Sequence, residues 1–376
     1  MSTQSADPSS AELEDQEPAG AKLPAPASVM RRVLPKLVLS IVLGGLFAWI
    51  VARGGVPLVP DAADFRAIAW WTAPAYLGIL LVTHFVRAAR WRYLIEPIKH
   101  LPLKEVILLN WMGFFAIFAF PLRLGEVARP ALTKLRHAIP MSVGFGTVAV
   151  ERVIDGLVTS LCVAWALFAI PRVVTDDPIA QSLPFYGYLM LAVFSGGLVA
   201  LFAFVWQRAR AVRLTEWMLG IVSKKLARVL AEKVSSVADG VHSLTDPRLA
   251  GGFIAESALY WGLNALGMWV LALGVGLPIG FGHAVSLMGI LAIGVLLPTG
   301  PGLFGNFQLA VSAGLRLYLA ESLVAGPGSV YIFLLYGIQA AVILTLGIVP
   351  LYLSNVPLRA LLGQTDARAR VPAEST

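Results

Sequence analysis

Six charged residues form two clusters in strongly apolar sequence. In chain order they are Arg123, Glu126 and Arg129, then Glu151, Arg152 and Asp155. Ionisable side chains in segments apolar enough for a membrane are energetically costly, so they are functional candidates by default. The planar guanidinium group of arginine binds phosphate oxygens through two parallel hydrogen bonds. The clusters therefore indicate a site for an anionic group.

Two interpretations of these clusters remain open. Glu151 and Asp155 are four residues apart and share a helix face, and Arg152 can pair with Asp155 three residues away. In the first interpretation the charges neutralise one another and only hold the structure together. In the second, one or two arginines stay available for an anion, and a nearby helix N-terminus adds favourable dipole charge.

Sequence motifs for enzymes are missing from this chain. It has no His-Glu-x-x-His, Gly-x-Ser-x-Gly, P-loop or dinucleotide-binding motif, and its five histidines are scattered without metal-ligand spacing. The sequence therefore predicts a protein that is not an enzyme and that has no metal site and no cofactor.

The composition is that of a polytopic membrane protein. The chain is 57% hydrophobic and 14% charged, with a mean hydropathy of +0.76, whereas soluble domains are about 25% charged. Apolar stretches of spanning length, about 20 residues, lie at residues 34–52, 70–86, 143–170, 185–206, 253–277 and 329–353. The net charge of +7 is spread between these stretches, which favours membrane orientation over nucleic-acid binding.

Two further apolar runs, at residues 107–120 and 287–297, are interrupted at membrane depth. The first stops at PLRLGE, and the second stops at a segment rich in proline and glycine. The second interruption and its flank contain Pro298, Pro301, Gly302, Gly305, Asn306 and Gln308. Non-helical backbone at this depth must line a cavity or be buried in protein, and interrupted segments in both halves of a transporter point to its substrate site. Asn306 and Gln308 could donate hydrogen bonds to a headgroup, or the segment could be a purely structural bend.

The distribution of Lys and Arg predicts how these segments are oriented. Both flanks of the first broken segment are basic, so a complete crossing would violate the positive-inside rule, whereas re-entry from the cytoplasm would not. We therefore predict an all-α membrane protein with about six full spans and two re-entrant hairpins, at about residues 106–137 and 284–323. The hairpins enter from opposite faces, which makes an inverted-topology repeat, and both termini are cytoplasmic.

Three segments are predicted to lie outside the spans. Residues 1–30 are read as a disordered acidic cytoplasmic tail and residues 356–376 as a second cytoplasmic tail, leaving residues 31–355 as the membrane domain. Residues 212–245 have apolar positions at helical spacing opposite basic ones. They form either an amphipathic helix on the cytoplasmic membrane surface or a linker helix packed on the protein.

Four stretches in order resemble a known family, the transmembrane region of lysylphosphatidylglycerol synthases and its stand-alone flippase-like relatives. They are RAARWRYLIEP (87–97), FPLRLGEVARP (120–130), VAVERVIDGL (148–157) and LPTGPGLFGNFQ (297–308). The resemblance covers roughly residues 35–353 and implies a multi-pass protein of the bacterial inner membrane that moves phospholipid or lipid-linked molecules between leaflets. The polar hairpin residues of the family correspond here to Arg123, Glu126, Glu151, Arg152 and Asp155. Many relatives carry Glu at the position of Gln308, and many carry Arg at the position of Gly337.

Sequence and resemblance together lead to one expectation and one alternative. We expect a lipid translocator in which Arg123 and Arg152 hold the headgroup phosphate and Glu126, Glu151 and Asp155 orient them. The alternative is an accessory membrane protein that binds lipid, or supports an envelope-lipid enzyme, without transport. About two dozen residues follow Leu353, so aminoacyl transfer, the activity of the synthase members, is not expected. The expected partners are the lipid and the membrane, and a homo-oligomer is left open.

Overall fold

A computed structural model describes residues 59–60, 64–173, 176–207, 239–241, 245–297 and 301–354, with isolated positions between 38 and 53. In chain order its α-helices are α1 (Thr72–Ala89), α2 (Arg92–Ile95), α3 (Leu103–Ala119), α4 (Ala128–His137), α5 (Met141–Ala169), α6 (Pro178–Trp206), α7 (Pro247–Gly274), α8 (Phe281–Gly294), α9 (Asn306–Arg316), α10 (Glu321–Ala325) and α11 (Pro327–Leu353). Short 3-10 helices span Asp64–Ala67, Pro121–Val127 and Pro301–Leu303. All regular elements in the described ranges are helical, which confirms an all-α polytopic membrane protein.

Five described helices are long and apolar enough to cross a membrane, and they correspond to five of the six predicted spans. They are Thr72–Ile95, Met141–Ala169, Pro178–Phe204, Pro247–Gly274 and Pro327–Leu353. The sixth predicted span, residues 34–52, lies mostly outside the described residues, although its described positions are helical. Both predicted tails lie outside them as well. So does the predicted helix at residues 212–245, except for residues 239–241 and 245.

The first of these apolar segments is longer than the sequence analysis predicted. The predicted span ended at residue 86, which put Arg87 and Arg90 into a cytoplasmic connection. In the structure Arg87 is on α1 and Arg90 directly follows it, fully buried. These two arginines therefore belong to the interior of the protein and not to a loop.

The first broken segment is an antiparallel helical hairpin, hairpin 1 (residues 103–137). Phe120 is extended, as residues before proline tend to be, and α3 ends there. A Cβ atom on Gly125 would lie 2.0 Å from the carbonyl carbon of Ala116, so the returning chain packs directly on the end of α3. At the other end of the hairpin, Arg136 of α4 bonds to Glu105 at 2.8 Å.

The second broken segment, hairpin 2 (residues 281–316), is built in the same way. A Cβ atom on Gly294 would approach that of Ala310 to 2.5 Å. Near the open end, the hydroxyl groups of Ser286 and Tyr318 are 2.7 Å apart. The arms α8 and α9 therefore also run antiparallel. The structure places the start of hairpin 1 three residues earlier than predicted, and hairpin 2 is shifted toward the N-terminus by several residues.

The two hairpins approach each other from opposite ends of α5. This helix has 29 residues and is therefore about 43 Å long at ~1.5 Å per residue. Its first residue follows the open end of hairpin 1 after a three-residue link, whereas Ile170, just beyond its last residue, contacts Gly282 of hairpin 2. The closed tips meet between these ends, where Arg123 donates a hydrogen bond to the carbonyl oxygen of Val295 at 2.8 Å.

Each hairpin has its own hydrophobic core. Trp91, Leu109 and Leu132 are among the buried residues around hairpin 1. A larger cluster around hairpin 2 includes Leu287 and Val311 together with residues of α1, α7 and α11. The polar residues of interest lie between these two cores, beside the middle of α5.

The open end of hairpin 2 is held by an ion-pair cluster. Arg316 bonds to Asp177 at 2.9 Å and to both carboxylate oxygens of Glu321 at 2.8 Å. These hydrogen bonds lower the pKa of the Glu321 carboxyl group. The cluster fixes the link before α6 and the start of α10 to the end of α9.

Candidate functional site

A cavity of about 160 Å³ lies where the two hairpin tips meet α5. Hairpin 1 lines it with Phe114 and Arg123, and hairpin 2 lines it with Val295 and Phe307. The remaining lining residues come from α1, α5, α6, α7 and α11, and they include Arg87, Arg152, Asp155, Phe194, Tyr260, Trp261, Asn264 and Gln339. The cavity therefore combines aromatic and aliphatic walls with three arginines and one carboxylate.

Five arginines and three carboxylates make up the charged cluster around this cavity. Three of the arginines each have a close carboxylate partner, in the pairs Arg90–Asp155 at 2.6 Å, Arg123–Glu126 at 2.6 Å and Arg129–Glu151 at 2.5 Å. A spacing of three residues would allow Arg152 to pair with Asp155. Its nearest carboxylate partner is instead Glu126 at 3.7 Å, which already binds Arg123 more closely.

The Arg90–Asp155 pair is the most completely bonded part of the cluster. Both terminal nitrogens of Arg90 donate to the two Asp155 oxygens at 2.6 Å, and Nη1 also donates to Ser257 at 2.8 Å. Trp261 donates its indole N–H to the same carboxylate at 3.0 Å. This pair connects α1, α5 and α7, and its role is to hold the helices around the cavity.

Arg129 and Glu151 form a second buried pair below the cavity. Arg129 also donates to the side-chain oxygen of Asn110 at 2.6 Å and lies over the ring of Trp91 at 5.0 Å. Neither charged residue lines the main cavity. This pair therefore fastens hairpin 1 to α5, as the purely structural interpretation of the sequence expected.

Arg123 occupies the tip of hairpin 1 in a left-handed conformation, with φ at 57°. Positive φ is uncommon outside glycine and disfavoured by sterics, and it is found at sites where surrounding contacts enforce it. Here Nε and Nη2 bond to Glu126 and Nη1 bonds to Val295, which ends α8. The guanidinium group thus joins the two tips, and the cation is favourably placed at a helix C-terminus.

Arg87 and Arg152 have no such close partner among the described residues. Arg87 lies over the ring of Phe114 at 3.9 Å and is 5.6 Å from the ring of Tyr260. The Nε atoms of Arg87 and Arg152 are both buried without a hydrogen-bond partner in the described structure. Because both residues line the cavity, their donors are the ones available to an anion there.

The polar residues of hairpin 2 bond within the hairpin itself. Asn306 donates to the carbonyl oxygen of Gly294 at 2.6 Å, and Gln308 accepts from the backbone N–H of Gly305 at 2.8 Å. Gly302, with φ at 74°, follows Pro301 in the turn. The five described candidates, Pro301, Gly302, Gly305, Asn306 and Gln308, do not line the main cavity, which favours the structural-bend interpretation. Pro298 lies outside the described residues.

Sequence reasoning missed Arg87 and Arg90, which it treated as loop charges. Their spacing of three residues on one helix was the available signal, since it continues the helical pattern of the preceding span. Tyr260, Trp261 and Asn264 were missed as well. No motif or charge in the sequence marks them as cavity residues. In the described part of the chain, no group of three His, Cys, Asp or Glu residues is placed to hold a metal ion.

The residues that form this site lie in a stretch of sequence that matches a known protein family. The profile described as the lysylphosphatidylglycerol synthase TM region matches residues 34–348. The chain belongs to this family. The match includes both hairpins and every arginine of the cavity, so the described site lies wholly inside the family's transmembrane region. Searches of the curated proteins and of the solved structures found no significant match.

For this member of the lysylphosphatidylglycerol synthase TM-region family, we expect Asp155→Asn to lower stability strongly. The substitution leaves the fully buried Arg90 with Glu151, at 3.4 Å, in place of its bidentate partner at 2.6 Å. Breaking a buried ion pair costs about 3–5 kcal/mol. Thermal unfolding in detergent should show a clearly lower midpoint. The double variant Arg90→Met/Asp155→Leu should recover part of the loss, and an Asp155→Asn midpoint equal to wild type would contradict the assignment.

Proposed function

We propose that this protein translocates a phospholipid or a lipid-linked anionic molecule between membrane leaflets. The observation that supports it is the position of Arg87 and Arg152 in a cavity between the tips of two opposed hairpins. In the described part of the chain, neither has a carboxylate nearer than the 3.7 Å contact between Arg152 and Glu126. Membership of a lipid-related membrane family is consistent with such a substrate. No enzymatic step is part of the proposal.

The headgroup would enter the cavity while the acyl chains remain in the bilayer. Arginine is suited to the headgroup because its fixed fork of N–H donors matches phosphate oxygens. Phe194 of α6 forms part of the cavity wall, and α6 is only 6% buried over its most apolar stretch. A helix so little covered by protein has lipid as its natural surroundings, so the chains have apolar surface to follow next to the cavity.

We further propose that the hairpins are re-entrant and that hairpin 1 opens toward the cytoplasm. Their open ends lie at opposite ends of α5, which fits an inverted repeat with a central site. Alternating access would then exchange contacts at the tips, of which the Arg123–Val295 hydrogen bond is one.

Cysteine labelling tests this orientation. Lys99 and Lys134 are exposed near the open end of hairpin 1, and Ser322 is exposed near that of hairpin 2. In a background lacking Cys162, we expect cysteines at the first two positions to react with a membrane-impermeant maleimide from the same side. A cysteine at Ser322 should react from the other side. Opposite labelling of the first two positions would refute re-entry of hairpin 1.

Leaflet exchange in proteoliposomes tests the transport itself. Purified protein would be reconstituted with headgroup-labelled phosphatidylglycerol, and the outward-facing label would be reduced chemically over time. We expect the fraction accessible to the reductant to rise above that in protein-free vesicles. Binding of anionic lipid with no leaflet exchange would instead support the accessory, non-transporting function.

A further inference from the structure

The charge balance of the cavity restricts the headgroup that it can hold. The shortest ion pairs join Arg90, Arg123 and Arg129 to one carboxylate each, and longer contacts join Arg90 to Glu151 at 3.4 Å and Arg152 to Glu126 at 3.7 Å. Five arginines thus share three carboxylates. Arg87 and Arg152 remain as an excess of two positive charges within the described residues. Both line the same cavity, and both carry a buried Nε without a hydrogen-bond partner.

Arg87 and Arg152 are partly exposed to the cavity, and 24% of the Arg152 side chain is accessible. Two like charges on the wall of one cavity disfavour each other, so a ligand of opposite charge stabilises both. A ligand with two negative charges on one compact group would balance both arginines. A phosphodiester such as that of phosphatidylglycerol carries only one.

We infer that the preferred ligand is a lipid phosphomonoester, whose terminal phosphate carries close to two negative charges at neutral pH. This inference rests on the proposed function only in assigning the cavity to a lipid headgroup. A phosphomonoester has three terminal oxygens, enough for bidentate contact with one arginine and a further contact with the other.

A cationic or zwitterionic headgroup does not fit the same wall. Its ammonium group needs a free carboxylate or an open aromatic face, and Asp155, the carboxylate that lines the cavity, is bonded to both Arg90 and Trp261. The faces of Phe114 and Tyr260 already lie beside Arg87.

Calorimetric titration of the detergent-solubilised full chain tests the inference without requiring transport. The probes are dioctanoyl phosphatidate, dioctanoyl phosphatidylglycerol and dioctanoyl phosphatidylethanolamine. At pH 8 we expect phosphatidate to bind at least about tenfold more tightly than phosphatidylglycerol, which corresponds to one additional charged contact. Phosphatidylethanolamine should bind more weakly than both. Equal affinities, or tighter binding of phosphatidylethanolamine, would overturn the inference.

The pH dependence of the two affinities distinguishes titration of the ligand from titration of the protein. The second pKa of a phosphomonoester is about 6, so the advantage of phosphatidate should shrink toward parity at pH 5. The titratable protein groups that face the two arginines are Glu126, Glu151, Asp155, Tyr260 and, one helical turn from Arg87, His84. Any effect of these groups alters phosphatidylglycerol binding as well, so the ratio of the two affinities is the readout. A ratio that does not change with pH would contradict the inference.

The variant Arg152→Gln provides the matched test in the protein. With one excess charge removed, the preference for phosphatidate over phosphatidylglycerol should fall from tenfold to near unity. The control Arg248→Gln removes an exposed arginine at the start of α7 and should keep the wild-type preference. If Arg152→Gln also keeps it, the two-charge assignment is wrong.

The two proposals fail in different ways. Phosphatidate preference without leaflet exchange would remove the transport proposal and support the ligand assignment. Leaflet exchange that is equally fast for phosphatidylglycerol and phosphatidylethanolamine, without phosphatidate preference in binding, would support the transport proposal and remove the ligand assignment.

Discussion

Replacement of Arg87 or Arg152 by glutamine is expected to reduce leaflet exchange of headgroup-labelled phosphatidylglycerol by about ten- to a hundredfold. Each substitution removes charged donors from the cavity, and a hydrogen bond to a charged group contributes about 1.5–3 kcal/mol. A factor of ten corresponds to about 1.4 kcal/mol. Initial exchange rates in proteoliposomes at matched protein-to-lipid ratios give the measurement.

Stability is expected to change little in these two variants. Among the described residues Arg87 has no carboxylate partner, and Arg152 has only the 3.7 Å contact with Glu126, which keeps its closer bond to Arg123. Their thermal midpoints in detergent should therefore stay near wild type, unlike that of Asp155→Asn. Arg248→Gln is the control, because it removes one positive charge, as the other two variants do, but at an exposed position outside the cavity. Exchange rates of Arg87→Gln and Arg152→Gln that equal those of Arg248→Gln would remove the two arginines from the transport proposal.

Gly125→Ala is expected to be the most damaging single change at the hairpin tips. The added Cβ atom would lie 2.0 Å from the carbonyl carbon of Ala116 and 2.1 Å from its oxygen, and backbone atoms cannot rotate aside as a side chain can. Overpacking typically costs about 1–3 kcal/mol, and a clash with backbone belongs at the upper end or beyond. Thermal unfolding should show a large drop, together with loss of the contact between the tips.

The chain offers a close control in Gly337→Ala. Gly337 lies in α11, and an added Cβ atom there meets nothing within 4 Å. Since alanine is favoured over glycine inside a helix by about 1 kcal/mol, this variant should be as stable as wild type or slightly more so. Similar destabilisation by both substitutions would show that the tip packing is not the cause.

The sequence predicted the large elements of this fold well. Five predicted spans match helices, and both interruptions at proline-containing segments are real breaks with packed, antiparallel arms. These features depend on local properties, namely apolar length and the inability of proline to continue a helix. The helical arms span residues 103–137 and 281–316, against predicted hairpins at about 106–137 and 284–323, and re-entry into the membrane stays a prediction.

The pairing of charges could not be predicted in the same way. Arg90 binds Asp155 and Ser257, which are 65 and 167 residues away in the chain. Charge counting therefore assigned Arg90 to a loop, because nothing near it in sequence neutralises it. Likewise, spacing along the chain did not predict that Asn306 donates to the carbonyl oxygen of Gly294 or that Gln308 accepts from the N–H of Gly305. Binding of a headgroup by either residue stays a prediction.

The exposed helix α6 has a consequence for how the bilayer acts on this protein. Its apolar segment of 27 residues is about 40 Å long at ~1.5 Å per residue, whereas the hydrocarbon layer is about 30 Å thick. Such a mismatch is relieved by tilting, and the face of α6 away from α5 is open to lipid, since only 6% of its most apolar stretch is buried. Contacts at Gly156 and Gly187 hold the other face against α5, so a tilt of α6 would act on α5 as well. Because Phe194 of this helix belongs to the cavity wall, membrane thickness becomes one of the variables that set the shape of the site.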